Sequence, residues 1–179
     1  MTSLVILRTP TLGDVDTISA IMAEPAVARW WPRYDRDRIE REFVTDVDDD
    51  TTVFVIEVDG AVAGVIQSWE EPDQEYRHAG MDIAVATAWH GKDVAIAALR
   101  GLARHLIDDL GHHHLTIDPA AANTRAIRAY EKLGYRPVGI LRRNELGPDG
   151  AFRDTLLMDL VVDDLVLDGP TAVIPKAAG

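Results

Sequence analysis

"NTRAIRAYEKLGY", residues 123–135, is the stretch on which the fold turns. Asn123 stands at an N-cap position, and Gly134 stands where a helix closes into the left-handed region. Between them Ala126 and Tyr130 lie four apart, on one helical face. A tyrosine on such a face is ordinarily core, with its hydroxyl bonded locally, unless something beyond the helix uses it.

The pattern extends in both directions. Just upstream, "HHLTID" (113–118) reads as a strand. Before that, Val94, Ala98, Leu99, Leu102, Leu106 and Leu110 form one apolar stripe of a helix over 94–110. "RHAGMDIAVA" (77–86) reads as a strand in which Met81, Ile83 and Val85 alternate with other residues. "TTVFVIEV" (51–58) and "AVAGVIQSW" (61–69), joined by Asp59-Gly60, form a hairpin, because this dipeptide suits the positive φ angles of a tight turn. Toward the N-terminus lie a strand at 4–9, a helix over 11–24 and a proline-bounded loop at 25–34. The first helix has Val15, Ile18, Ile21 and Met22 on one face, and a charged helix over 35–47 has Ile39, Phe43 and Val47 spaced four apart. Downstream, "YRPVGILRR" and "FRDTLLMDLVV" pair around the turn "GPDG". The expectation is one domain over 1–165 with a loose tail over 166–179. Its class is α+β, a central mixed, mostly antiparallel sheet of about seven strands flanked by about four helices.

Composition narrows the functions. The chain has no cysteine, which excludes disulfides and thiolate chemistry and fits a cytoplasmic setting. No apolar run approaches the roughly 20 residues of a membrane span, and the first residues do not read as a secretory signal. Thirty acidic against eighteen basic residues give a formal charge of −12. That field repels nucleic acid and anionic membranes and attracts cations, although acidity also serves solubility alone. The three histidines at 112–114 begin a strand, so neighbours point to opposite faces, and no metal site is expected there.

With "HGKDVA" (90–95) opening the third helix, this order of elements resembles the GNAT superfamily of acyl-CoA-dependent N-acetyltransferases across roughly residues 4–162. Asn123, Ala126, Tyr130, Lys132, Gly134 and Tyr135 all fall on that family's pattern NxxAxxxYxKxG[FY]. "RWW" (29–31), "QSW" (67–69), "GMD" (80–82), "IDP" (117–119) and "PDG" (148–150) resemble one branch of it, the aminoglycoside 6′-N-acetyltransferases.

The resemblance implies a division of roles. Asp82 is the general base, and Asp118 and Asp149 hold ammonium groups of the acceptor. Tyr130 directs its hydroxyl at the thioester sulfur as general acid. Asn123 and Ala126 lie along the pantetheine arm. A backbone N–H from a splayed strand near Ile83 to Val85 meets the developing oxyanion. The loop His90, Gly91, Lys92, Val94 and Ala95 presents helix N-terminal amides to the pyrophosphate of acetyl-CoA.

The loop departs from the family pattern [QR]-x-x-G-x-[GA] twice. His90 keeps a nitrogen donor, whereas Asp93 puts a carboxylate in the glycine position, so weakened cofactor binding is expected. Trp30 and Trp31 are expected over the acceptor site, with Glu70 and Glu71 on an acidic rim. The expected partner is a cationic small-molecule amine, an aminoglycoside foremost, with acetyl-CoA as co-substrate and no metal, nucleic acid or membrane. The protein is expected as a monomer or homodimer. The alternatives are another small amine, a protein N-terminus, or a non-catalytic module that binds a cation.

Overall fold

The computed structural model describes residues 4–175. Seven strands form one sheet: β1 (Val5–Arg8), β2 (Thr51–Val58), β3 (Ala61–Glu70), β4 (Ala79–Val85), β5 (His114–Ile117), β6 (Arg136–Leu146) and β7 (Phe152–Val161). Their spatial order is β1-β2-β3-β4-β5-β7-β6, and every pairing is antiparallel except β4 with β5. The Asp59-Gly60 hairpin forms as expected, with φ of 49° and 84° at its two turn residues.

Five α-helices are present among the described residues: α1 (Val15–Met22), α2 (Pro25–Ala28), α3 (Arg36–Glu40), α4 (Val94–Arg104) and α5 (Thr124–Glu131). The expected count of about four misses α2, a single turn opened by Pro25, whose fixed φ and missing N–H suit a first helical position. Both α3 and α4 end in a wider π-type turn, Arg41–Thr45 and His105–Asp109. The second of these rotates Leu110 off the apolar stripe, leaving it 38% exposed, while Leu99, Leu102 and Leu106 stay in the core. No helix among the described residues is long and apolar enough to cross a membrane.

The sheet has a core on each face. Leu7, Ile56, Met81, Leu115 and Met158 of the sheet pack in one cluster with Leu102 of α4 and Tyr130 of α5. Val55, Val65 and Ala84 of the sheet pack in a second cluster with Val15 and Ile18 of α1, Val27 of α2, Ile39 of α3 and Phe43 of the turn that ends it. Alternation along β4 therefore assigns its side chains. Met81 and Val85 enter the first core, and Ala84 enters the second, on the same face as Asp82.

The expected loose tail is docked over its described part. Val173 donates to the Val5 carbonyl and accepts from the Leu7 N–H, both at 2.9 Å, so it satisfies backbone groups along the open edge of β1. Arg100 of α4, nearly fully buried, donates to the carbonyls of Val166 and Pro170. The remainder of that expectation, residues 176–179, lies outside the described residues.

The feature that creates a site is a splay. β4 and β5 pair only at Ala79 with Leu115 and Gly80 with Thr116, then diverge. Gly80 is required there, because a Cβ would lie 2.1 Å from the Trp69 ring carbon Cε2. A cavity of about 760 Å³ opens between the diverging strands and runs under the loop between α2 and α3.

Candidate active site

Two carbonyls of β4 are held by side chains from outside the sheet. Trp31 donates its indole N–H to the Ile83 carbonyl at 3.1 Å, and His90 Nε2 lies 2.8 Å from the Val85 carbonyl. In an antiparallel pair, a residue's N–H and C=O point to the same side. The amides of Ile83 and Val85 thus face the splay, away from β3. No bulge turns them: the β3–β4 register runs unbroken from Gly64–Val85 to Glu70–Ala79.

Asp82 lies opposite Gln67 in the register, and Gln67 Nε2 donates to its Oδ2 at 3.4 Å. Asp118 follows the end of β5 and accepts from Asn144 Nδ2 at 2.9 Å. Glu145 on β6 is paired with Arg153 at 2.8 Å. All three carboxylates line the cavity. Burial above all, then the negative charge of Asp118 and Glu145, pushes the Asp82 carboxyl up to about 6, against the hydrogen bond from Gln67. Asp118 is also raised, first by desolvation and then by Glu145, with hydrogen bonds from Asn144 and Thr155 opposing.

Tyr130 is 5% exposed and lines the cavity from α5. Burial, reinforced by the charges of Asp82 and Asp118, holds its hydroxyl far above the ordinary tyrosine range, so it remains protonated near neutrality. Asn123 caps α5 through its side-chain oxygen, which accepts from the Ala126 N–H at 3.2 Å. Its amide NH2 is left for the cavity that both residues line.

The opening of α4 answers the expectation for residues 90–95. Asp93 is the N-cap in the left-handed region, φ 58°, and its carboxylate accepts no bond from the helix amides. The Ala97 N–H is the first to find a helical acceptor, the Asp93 carbonyl. The amides of Val94, Ala95 and Ile96 lack an intrahelical partner. His90, Gly91, Val94 and Ala95 border the cavity, as does Asp93. Lys92 does not, because its ammonium lies over the Trp89 ring, 5.0 Å from the centroid.

Trp30 and Trp31 both line the cavity, and Trp31 also packs edge-on against Tyr34 at 5.3 Å. The expected acidic rim is elsewhere. Glu70 pairs with buried His112 at 2.6 Å, and Glu71 accepts from the Asp73 N–H within its own loop. Asp149 sits exposed at the tip of the β6–β7 hairpin, where it accepts from the Ala151 N–H at 3.1 Å. In each case a hydrogen bond outside the cavity holds the carboxylate away from it.

Glu145, Asn144, Gln67, Arg33 and Arg153 line the cavity without having been anticipated. Glu145 is brought in by a register shift in β6 between Leu141 and Glu145, at which Arg143 takes φ 51°. The two arginines tie the roof to the hairpin. Arg33 donates to the Leu146 and Gly147 carbonyls at 2.9 and 3.0 Å, and Arg153 donates to the Arg29 carbonyl at 2.9 Å.

One side of the cavity thus collects carboxylates under two indoles, and the other presents free amides and a protonated phenol. Such an arrangement can hold a cation against a base while stabilising negative charge a few ångströms away.

Residues 5–136 match the Acetyltransferase (GNAT) domain. The chain is 25% identical over 162 residues to the aminoglycoside N(6′)-acetyltransferase type 1 of Klebsiella pneumoniae, covering 82% of this chain and 79% of that protein. The protein of that name from Serratia marcescens matches to the same extent. In fold it is similar to the aminoglycoside acetyltransferase AAC(6′)-Ib in complex with coenzyme A and kanamycin, at 23% identity and TM-score 0.74, covering 89% of this chain and 96% of that one. It is similar also to the spermidine N-acetyltransferase of Vibrio cholerae in complex with CoA and spermine, at 21% identity and TM-score 0.77, with the same coverage.

Proposed function

Since the chain belongs to the GNAT family of acetyltransferases, we propose that it transfers the acetyl group of acetyl-CoA to a primary amine of a small polycation, the 6′-amine of an aminoglycoside. The observation that carries this reading is the group of Asp82, Asp118 and Glu145, three carboxylates lining one cavity. The relatives from Klebsiella and Serratia support the choice of acceptor within that chemistry.

Acetyl-CoA supplies an activated thioester carbonyl. The free amides at the start of α4 suit its phosphates, and the splay beside Ile83 and Val85 suits its extended arm. Asp118 and Glu145 draw the ammonium groups of the acceptor into the cavity that Trp30 and Trp31 also line. Asp82, raised to about 6, is still ionised at pH 7 and is a better base than an ordinary aspartate, so it takes a proton from the acceptor's ammonium and frees the amine that attacks the thioester carbonyl. The Ile83 and Val85 amides meet the carbonyl oxygen as it gains charge. Tyr130, kept protonated, donates to the departing sulfur.

The test is thiol release from acetyl-CoA with kanamycin, spermidine and a short peptide as parallel acceptors. Kanamycin-dependent release is expected, with the product acetylated at the 6′ nitrogen and no release from an aminoglycoside that carries a hydroxyl at that position. Release with spermidine alone would reassign the acceptor to linear polyamines, and release with the peptide alone would reassign it to protein amines. An aminoglycoside acetylated in this way loses a charge, so a bacterium expressing the protein is expected to tolerate more of the drug.

A further inference from the structure

The opening of α4 has a charge problem. Asp93 brings a carboxylate to its first turn, and Lys92, the basic residue beside it, is turned onto Trp89. The side chains of residues 90–95 therefore offer two phosphates no cation.

A cation arrives from another element. Arg125, in the first turn of α5, reaches across the splay and places Nη1 2.6 Å from His90 Nδ1. A guanidinium only donates, so Nδ1 carries the imidazole lone pair and the ring proton is on Nε2. That proton is donated to the Val85 carbonyl at 2.8 Å. Both nitrogens of His90 are thereby committed, one to the backbone of β4 and one to Arg125. The second guanidinium nitrogen, Nη2, lies 3.4 Å from Nε2, donor against donor, so it keeps its hydrogens for another acceptor. Arg125 borders the same cavity as Gly91, Asp93, Val94 and Ala95.

We propose that Arg125 binds the pyrophosphate of the acyl carrier, that His90 is the positioning residue holding it there, and that the pair offsets the negative charge of Asp93. The inference rests on the reading of acetyl-CoA as co-substrate. It assigns the role to a residue outside the helix whose amides face the same phosphates.

The experiment measures affinity by calorimetry for CoA and dephospho-CoA, and KM for acetyl-CoA and S-acetylpantetheine, which lacks the phosphates. In the Arg125→Ala variant the dissociation constants for CoA and dephospho-CoA are expected to rise together by about tenfold, with the preference for acetyl-CoA over S-acetylpantetheine falling by the same factor. Arg125→Lys, which keeps the charge, is expected to recover part of the loss. His90→Ala is expected to fall between wild type and Arg125→Ala. An unchanged CoA affinity in Arg125→Ala overturns the assignment, and so does a loss shared equally by S-acetylpantetheine, which marks a structural role. A loss confined to CoA and absent with dephospho-CoA overturns the pyrophosphate in favour of the 3′-phosphate. A wild-type protein that binds no CoA at all overturns instead the acetyltransferase reading on which the proposal stands.

Discussion

Trp31 donates its indole N–H to the Ile83 carbonyl at 3.1 Å, joining the roof of the cavity to the strand whose amides face the splay. The bond fixes two things at once: where the indole sits in the cavity roof, and which way the Ile83 carbonyl points. Trp31→Phe keeps most of the apolar packing and leaves that carbonyl without its donor. The variant is expected to lose about 1 kcal/mol of stability by urea unfolding. Its turnover is expected to fall more than its affinity for CoA, because the disturbed stretch of β4 carries Asp82 and the Ile83 amide, which the proposed reaction uses only as the acetyl group transfers.

Asp82 gives the protein a pH dependence with a determinate sign. Its carboxyl is raised in the folded state, from 3.8 to about 6. The rate with amine acceptors is therefore expected to rise with pH through about 6 and to level above it. Asp82→Asn is expected to lower turnover at least ~100-fold and to abolish that limb, with CoA affinity nearly unchanged. Stability runs the other way. A raised carboxyl favours the folded state while protonated, and that advantage is lost as pH climbs through the folded value. Asp82→Asn is thus expected to be more stable than wild type at pH 8 by up to about 3 kcal/mol. The difference should shrink below pH 6 and vanish near pH 4, which chemical denaturation at several pH values measures.

Tyr130 contributes a proton only if its hydroxyl reaches the leaving sulfur, and its buried, protonated state makes it a donor near neutrality. Tyr130→Phe removes one oxygen from a well-packed site. Turnover is expected to drop by about 100-fold with the dissociation constant for CoA changed less than about threefold. A wild-type rate, read by thiol release, would return the side chain to the core it shares with Tyr135, 6.0 Å away ring to ring.

The sequence was most informative where local chemistry dictates local shape. Asp59-Gly60 needed only a turn, Asn123 only a helix start, and the stripe from Val94 to Leu106 only a face to bury. It misled where the direction of a side chain depends on a distant partner. Glu70 belongs to His112, forty-two residues on, and Asp149 belongs to its own hairpin turn. Glu145 was hidden for a related reason. Strict alternation along β6 cannot find it, because the shift at Arg143 resets which residues face the cavity. The tail was underestimated because its partner is the unpaired backbone edge of β1, a demand that no residue pattern in the tail advertises.

Asp93 occupies a left-handed position that glycine adopts without strain and aspartate tolerates. Asp93→Gly therefore relieves the backbone while giving the unfolded chain more freedom, and stability is expected to move by less than about 1 kcal/mol. Removing the carboxylate from beside the free amides of Val94 and Ala95 is expected to tighten CoA binding several-fold, more at low salt than at high. Calorimetry at two ionic strengths separates this charge effect from a change in loop shape, which salt would leave alone.

Glu145 is expected to act on the proposed acceptor site through charge. Its carboxylate is paired with Arg153 and raises both Asp82 and Asp118. Glu145→Gln removes one negative charge and leaves the Arg153 guanidinium without its carboxylate, and both changes favour ionised Asp82. The lower limb of the pH–rate profile is expected to move below its wild-type midpoint of about 6. At pH 7.5, where Asp82 is ionised in either protein, the KM of a polycationic acceptor is expected to rise about tenfold and that of a monoamine much less. The ion pair itself is only half-buried, so stability should fall by no more than about 1 kcal/mol. An acceptor KM that rises equally for both amines would place Glu145 among the residues that shape the hairpin rather than those that select charge.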